Sequence, residues 1–386
     1  MWHFFSSAFL LLYLLIVLFL ARLGRRRLVP ALVGRGRWLW YGGVALLASL
    51  FPIARLLGDL LPRTVDELVT DLGLLTAIGL FYVFMGVLLL GVSRRVWRWL
   101  RAAKGDDSGA GRLLRDRLWA AGLVLGTVGL MAYGHWEARN PRVVEYVLEL
   151  PTAAAVSELH LVVVSDVHYG DNIDLPRLEQ LRALIEPLEP DLIILAGDLL
   201  EGNDQRLVEE LSSFFASLPS RYGVVAVPGN HDRALLDREG AAAMAMRASG
   251  IDLLQDERRL IAASLWVVGR DDYRRRAEYR APVSALLSEL DHSKAVLLLD
   301  HQPVELSQAA EAGADLFVAG HTHGGQVFPA QLFTWLIYGN DHGLSQVSGM
   351  NLLVSSGYGT WGPDLRIGAP PEVVSLRLRF LGAAVE

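Results

Sequence analysis

Four apolar runs crowd the first third of the chain and constrain it more than any other feature. They cover residues 4–23, 38–57, 72–92 and 118–136. Each approaches the ~20 residues an α-helix needs to cross a bilayer. The third holds no charged residue at all. A cleaved signal peptide does not account for the first run, because Arg22, Arg25, Arg26 and Arg27 follow the apolar stretch instead of preceding it. Helices of a large soluble core are the bland alternative, and sharp arginine punctuation argues against it. Residues 1–140 therefore read as an all-α transmembrane bundle of four helices.

The connecting charges suggest an orientation. Arg22, Arg25, Arg26, Arg27, Arg35 and Arg37 cluster after the first run, and Arg94, Arg95, Arg98, Arg101, Lys104, Arg112, Arg115 and Arg117 after the third. The intervening connection carries Arg63 against Asp59, Asp66, Glu67 and Asp71. The positive-inside rule places the first and third connections in the cytoplasm. The expected localisation is then a multi-pass cell-membrane protein with everything after Trp136 extracytoplasmic. The inverted topology, with a cytoplasmic catalytic part, is the alternative that a reporter at the C-terminus separates. Trp38, Trp40, Trp97, Trp99 and Trp136 sit near run ends, where interfacial indoles are expected.

Charge divides the chain in two. The net charge is −6, but residues 1–142 carry +10 and the remainder −16. A nucleic-acid binder needs positive charge on its globular part, so no nucleic-acid partner is expected. The chain has no cysteine, which excludes disulfides, zinc–thiolate sites and cysteine nucleophiles.

From about Pro141 short apolar runs alternate with helical patterns, and residues 141–386 read as an α/β domain. Strands are expected at 143–150, 159–164, 192–196, 224–227, 265–268, 296–299, 316–319, 352–354 and 373–380. Several are continuously apolar, as strands buried on both faces should be. Helices are expected at 175–188, 205–218, 234–249, 283–290 and 304–312, and this alternation favours helices packed outside central sheets. The last strand alternates apolar and polar residues and reads as half-exposed.

Chemistry follows the strands. After five of them come Asp166-Val167-His168, Gly197-Asp198, Gly229-Asn230-His231-Asp232, Asp300-His301-Gln302-Pro303 and Gly320-His321-Thr322-His323-Gly324-Gly325. Ligands of open α/β sheets gather beyond the carboxyl ends of strands, so these side chains can share one rim. Carboxylate oxygen, imidazole nitrogen and one amide oxygen, without thiolate, suit zinc, manganese or iron and are too nitrogen-rich for calcium. Seven ligands exceed one tetrahedral ion and suit two divalent ions sharing Asp198. Two ions roughly 3.5–4 Å apart can deprotonate a bridging water and stabilise displacement at phosphorus.

This constellation resembles the calcineurin-like metallophosphoesterase superfamily over residues 143–380. Asp-x-His, His-Gln-Pro, the Gly-Thr-Trp-Gly-Pro run at 359–363 and Pro370-Pro371-Glu372 look most like its bacterial membrane-anchored branch. The resemblance implies a four-layer α/β/β/α fold. It implies that Asp166, His168 and His323 join Asp198 around one metal, and Asn230, His301 and His321 join it around another. His231 matches the family histidine that contacts phosphate and can protonate the leaving oxygen. Protein serine/threonine phosphatases continue the second block as Gly-Asp-x-x-Asp-Arg-Gly, whereas here it reads Gly197-Asp198-Leu199-Leu200-Glu201-Gly202. A phosphoprotein substrate is disfavoured on that ground.

The expected function is hydrolysis of a lipid-, nucleotide- or cell-wall-linked phosphoester, as a diester, through a hydroxide shared by two metals. A membrane lipid or an envelope polymer is the candidate partner. A non-catalytic membrane sensor or scaffold that keeps the metal site is the competing reading, and loss of a ligand or of His231 would favour it. Of the other histidines, His3 reads as incidental, His135 as interfacial, and His160 and His292 as structural. His342 follows the last histidine pair closely enough to border the cleft. Arg274, Arg275 and Arg276 read as a solvated face, with anionic lipid as the sharper alternative. Phe328, Phe333, Trp335 and Leu336 read as core, with an acyl-accepting lip as the alternative.

Overall fold

The computed structural model describes residues 2–57, 63–100, 109–152, 154–170, 172–202, 204–232, 236, 240–273 and 280–382. Arg274, Arg275, Arg276, Arg101, Lys104 and part of the helix expected at 234–249 lie outside them. The chain divides into two units, Met1–Tyr133 and Gly134–Glu386.

The first unit is helical: α1 (Trp2–Arg27), α2 (Arg35–Leu57), α3 (Arg63–Leu100) and the greater part of α4 (Gly109–Ala138). Each helix contains one of the apolar runs. They also absorb much of what reads as loop, since Asp66, Glu67, Asp71, Arg94, Arg95 and Arg98 all lie on α3. Arginine and glutamate are good helix formers, so a charge cluster does not end a helix unless a breaker accompanies it. Small residues bring the helices together: a Cβ on Gly73 would meet the Phe51 backbone nitrogen at 2.8 Å, the close approach that glycine permits between membrane helices. Tyr13 donates to the Ala48 carbonyl at 2.8 Å and Trp40 to that of Ala21 at 2.9 Å. Leu11, Leu15, Leu47, Leu89, Leu125 and Val128 point outward. Leu68–Ser93 and Leu113–Ala138 are, among the described residues, the two segments long and apolar enough to span a bilayer.

The second unit runs β1 (Arg142–Leu150), β2 (Glu158–Val164), α5 (Leu175–Ile185), β3 (Leu192–Ala196), α6 (Gln205–Ala216), β4 (Val224–Val227), α7 (Ala241–Ala248), β5 (Ile251–Leu253), β6 (Glu257–Ile261), β7 (Leu265–Gly269), α8 (Val283–Leu287), β8 (Ala295–Leu299), α9 (Leu306–Glu311), β9 (Leu316–Ala319), α10 (Ala330–Tyr338), β10 (Gly343–Val347), β11 (Met350–Val354) and β12 (Glu372–Phe380). One sheet has the order β1-β12-β2-β3-β4-β5 and the other β10-β11-β9-β8-β7-β6. Strands β2 to β5 are mutually parallel, as are β7, β8, β9 and β11.

The sheets are buried on both faces, which explains the uninterrupted apolar strands. Leu161, Val163, Ile194 and Val225 face Leu297, Leu299, Leu316 and Val318 of the other sheet in one shared core. The alternate residues Val162, Ile193, Leu195 and Ala226 pack under α5, α6 and α7. Val296, Leu298, Phe317 and Ala319 pack under α8 and α9. The four-layer α/β/β/α arrangement follows directly.

Three expectations need correction. Strand β12 is buried over residues 372–376 and exposes only Arg377 and Arg379, because Val373 packs in the helix-covered core on one face while Val374 and Leu376 join the core between the sheets on the other. Three strands lie outside the expected set: β5 has only three residues, and β6 and β10 are largely polar, partly exposed segments that form no apolar run. The apolar stretch read as core is instead the exposed helix α10.

Leu297 is fully buried between the sheets. Leu297→Ala is expected to cost about 2–5 kcal/mol in denaturant unfolding of the detergent-solubilised chain. Leu260→Ala, on the solvent side of β6, should stay within about 0.5 kcal/mol.

Candidate metal centre

Parallel strands deliver their carboxyl ends to one edge, and pairing aligns them there. Val164 lies opposite Leu195, Ala196 opposite Val227, and Leu299 opposite Val318. The turns that follow interlock by backbone hydrogen bonds: Asp166 donates to Gly197, His168 to Asp198, and Gly320 to His301. Polar side chains emerge where the apolar strands stop, so the site is built on rigid ends.

The eight residues singled out in the sequence fall on this edge. Asp166, His168 and His323 form one cluster and Asp198, His301 and His321 a second, each with ligand atoms within 4.8 Å of one another. In the first, His168 Nε2 lies 3.2 Å from His323 Nε2, and His323 Nε2 lies 3.3 Å from Asp166 Oδ1. In the second, His301 Nε2 is 3.1 Å from Asp198 Oδ2 and 3.3 Å from His321 Nδ1. Asn230 and His231 follow β4, and the His231 amide donates to Asp198 Oδ1 at 2.7 Å. His231 and His168 stand edge to face with ring centroids 4.9 Å apart.

The outer ring nitrogens show how the rings are held. His168 Nδ1 meets the Glu201 carboxylate at 2.8 Å, and His301 Nδ1 meets the Ala196 carbonyl at 2.8 Å. A carbonyl or carboxylate can only accept, so each Nδ1 carries a hydrogen and each Nε2 turns toward the cluster. Carbonyl and carboxylate partners of this kind orient metal-binding imidazoles. The donor set, imidazole and carboxylate without thiolate, fits a hard to borderline divalent ion.

The edge is also dense in interacting charge. Burial opposes charge on His301, but the Asp198 and Asp166 carboxylates outweigh it and hold its pKa up at about 10. Burial also works against ionised Asp198, yet His301, His168 and His231 pull it well below the usual carboxylate range. Asp166 is pushed up by burial and by Asp198. Such opposed shifts within one cleft mark a charge-dense functional site.

Backbone strain concentrates here. Asp166, His168, Asp198, His321 and His323 all have positive φ, between 49° and 72°. Each such residue costs on the order of 1–3 kcal/mol and persists where the surroundings over-determine it. Gly229 and Gly320 leave no room for a side chain: a Cβ on the first would strike the Asp198 backbone nitrogen and carboxylate, and on the second Ser165 and Asp166.

Three further residues belong to the site and escaped the sequence reading. Glu201 bridges His168 and His231, meeting His231 Nδ1 at 2.9 Å, and the two histidines hold its pKa down at about 2 against burial. Asp232 accepts from the amides of Leu199, Leu200 and Gly229 and locks the turns after β3 and β4 together. Burial and Asp198 push it up to about 6. Arg366 is fully buried and donates to the carbonyls of His323, Ser356 and Ala369, with Nη2 3.3 Å from His323 Nδ1. Glu201 and Asp232 sit inside quoted motifs, so their proximity was available; nothing in the sequence ties Arg366 to His323. His342 lies at the rim, its Cγ 3.6 Å from a Cβ built on Gly324. His160 is buried against Ser375, His292 bonds the Leu287 carbonyl, and His135 meets the Asp364 carbonyl.

Comparison with known proteins is consistent with this geometry. The family model for calcineurin-like phosphoesterase matches residues 159–325. An uncharacterized metallophosphoesterase of Aquifex aeolicus is 32% identical over 66% of this chain and 97% of its own length. One from Campylobacter jejuni is 30% identical over 62% of this chain, which spans 64% of that protein. A Danio rerio protein named transmembrane protein with metallophosphoesterase domain is 27% identical over 78% of this chain and 70% of its own. Among solved structures, a dimetal phosphatase from Danio rerio aligns over 52% of this chain and 88% of its own, with 14% identity and a TM-score of 0.35. The near-complete match to the Aquifex relative makes this chain a member of the calcineurin-like phosphoesterase family, and so a metal-dependent phosphoester hydrolase.

Proposed function

We propose that the chain is a membrane-embedded phosphodiesterase that works with two divalent ions. The observation that carries this reading is the position of Asp198. One oxygen faces His301, the other accepts from the His231 amide, and its carbonyl accepts from the His168 amide. Asp198 thus belongs to one cluster through its carboxylate, is tied to the other through its backbone, and feels the charge of both His301 and His168. Asp166, His168 and His323 would hold one ion with Asp198, and Asn230, His301 and His321 the other. The ions, manganese, zinc or iron by donor chemistry, supply an activated water at neutral pH and positive charge against a phosphoryl group.

The protein's own residues do the rest. His231 sits half-buried at the mouth, where its ring can protonate the departing oxygen. Burial opposes its charged form, but Glu201 and Asp198 outweigh burial and raise its pKa, which favours the protonated, donor form. Glu201 fixes the rings of both His231 and His168, coupling the proton donor to the metal cluster. The Arg366 guanidinium braces His323 from behind. Substrates of this reading are lipid-, nucleotide- or cell-wall-linked phosphoesters.

Membrane anchoring is supported by the two apolar helical segments and by the transmembrane relative. We read all four helices as spans, with the arginine-rich connections cytoplasmic and the catalytic unit extracytoplasmic.

Two outcomes are expected. The purified chain should hydrolyse bis(p-nitrophenyl) phosphate when given manganese or zinc. Asp198→Ala should abolish turnover, and His231→Ala should lower kcat by about 10²–10⁴-fold, the range for a lost general acid. Absence of turnover with every divalent ion supports the scaffold reading instead. Separately, alkaline phosphatase fused after Glu386 should be active in intact cells, whereas activity only of a cytoplasmic reporter there reverses the topology.

A further inference from the structure

Helix α10 is amphipathic the wrong way round. Its polar and bonding residues face the protein: Gln331 donates to the Ile367 carbonyl at 2.9 Å, Thr334 donates to Asp341 at 2.7 Å, and the Tyr338 ring stands against His321 with centroids 6.1 Å apart. Its apolar residues face out. Leu332, Phe333, Trp335, Leu336 and Ile337 are between 57% and 72% exposed, and the helix holds no charged residue. Trp361, 62% exposed, is held by Gln326, four residues before α10, whose side chain donates to the Trp361 carbonyl at 2.8 Å. A contiguous apolar surface of this kind marks an interaction site.

What covers it follows from the chain. The spanning segment Leu113–Ala138 ends inside the catalytic unit, whose residues begin at Gly134. There the Gly134 carbonyl accepts from the Arg366 amide at 2.9 Å, and a Cβ on Gly134 would lie 2.6 Å from the Ile367 side chain. The Ile367 carbonyl in turn accepts from the Phe328 amide at 2.9 Å as well as from Gln331. Ile367 therefore touches the end of the span on one side and the start of α10 on the other. A surface one residue away from the point where an apolar helix leaves the bilayer lies within reach of lipid. An uncharged apolar face that carries an indole, here Trp335, is suited to the acyl–headgroup boundary.

We infer that α10 with Trp361 dips into the bilayer and presents the metal-centre rim to phosphoesters carried on membrane lipids. Tyr338 against His321 makes the helix one wall of that rim, so a headgroup at the clusters leaves its acyl chains along α10. The inference rests on the phosphoesterase reading above for its substrate class, and on membrane anchoring for its surface.

Two measurements separate these. Because the chain lacks cysteine, Leu336→Cys carries a single nitroxide on the full chain reconstituted in phosphatidylethanolamine–phosphatidylglycerol vesicles, with Met244→Cys as the exposed reference. The label at 336 should collide with oxygen about fivefold more, relative to a water-soluble nickel complex, than the label at 244, as for a buried interfacial helix. Equal nickel accessibility at the two sites overturns the inference, and so does shielding from both reagents, which indicates a protein partner. For the substrate, hexadecyl p-nitrophenyl phosphate in the same vesicles is compared with methyl p-nitrophenyl phosphate in solution. The hexadecyl ester should have a kcat/KM at least about tenfold higher, since remote binding energy aids the reaction. Leu336→Glu combined with Ile337→Glu should remove that advantage. Equal turnover of the two esters overturns the lipid class and leaves the phosphoesterase standing. Turnover of neither, with manganese or zinc, strikes the phosphoesterase reading, while the nitroxide still decides whether α10 lies in lipid.

Discussion

Asp198 and His301 meet across the boundary between the two sheets. Asp198 follows β3 in one sheet and His301 follows β8 in the other, and their oxygen and nitrogen lie 3.1 Å apart with both side chains nearly inaccessible to water. Burying a carboxylate costs several kcal/mol unless charge and hydrogen bonds repay it, so this pair binds the sheets only because the site around it is built to match. The same contact sets the neighbouring backbone. Gly229 has to lack a side chain because Asp198 fills the place its Cβ would take, and Gly197 lies so close to the His301 ring that a Cβ would be 2.7 Å from it. The fold and the chemistry are therefore specified by the same residues.

The strain at this edge has a counterpart in the bonds that hold it. Asp166, in the left-handed region, receives the His321 amide and the Ser165 hydroxyl. Asp198, also left-handed, receives the His231 amide. Asp232 collects three amides from two turns. These are short-range polar contacts made where the strands end, and they hold the ligand atoms of each cluster within 4.8 Å of one another, in sites whose geometry tolerates errors of only about half an ångström. The two apolar layers beneath act as a rigid base. This division explains why the site tolerates so many buried ionisable groups: the hydrophobic cores contribute stability, and the edge consumes part of it.

Much of this was legible in the chain because the strands are buried on both faces. Runs such as Leu192–Ala196 have no polar interruption, so their ends are sharp, and a motif that begins at a sharp end is located in space as well as in sequence. Glycine-flanked histidines at 321 and 323 and the Gly-Asn-His turn then converge by topology alone. Three things escaped for physical reasons. Strand β5 is too short to register, and β6 and β10 lie partly exposed with polar residues, so neither forms an apolar run. Arg366 acts through carbonyls of residues up to 43 positions away, contacts that no local pattern encodes. Helix α10 follows an apolar pattern indistinguishable from a core helix, and only tertiary placement decides that its leucines point outward. The charged connections of the membrane unit misled in the opposite sense, since α3 runs on through them. Among the described residues, what sequence periodicity reveals is whether a segment buries a face, not which solvent covers the other.

The central claim is that side chains from five strand ends form one site for two divalent ions joined by Asp198. It is tested most directly by counting metal in the full chain, purified, equilibrated with manganese, desalted and analysed by inductively coupled plasma mass spectrometry. The account predicts two ions per chain, falling to one or none in Asp198→Asn while circular dichroism stays unchanged. A folded wild-type chain that retains no ion, or an Asp198→Asn chain that retains both, contradicts it.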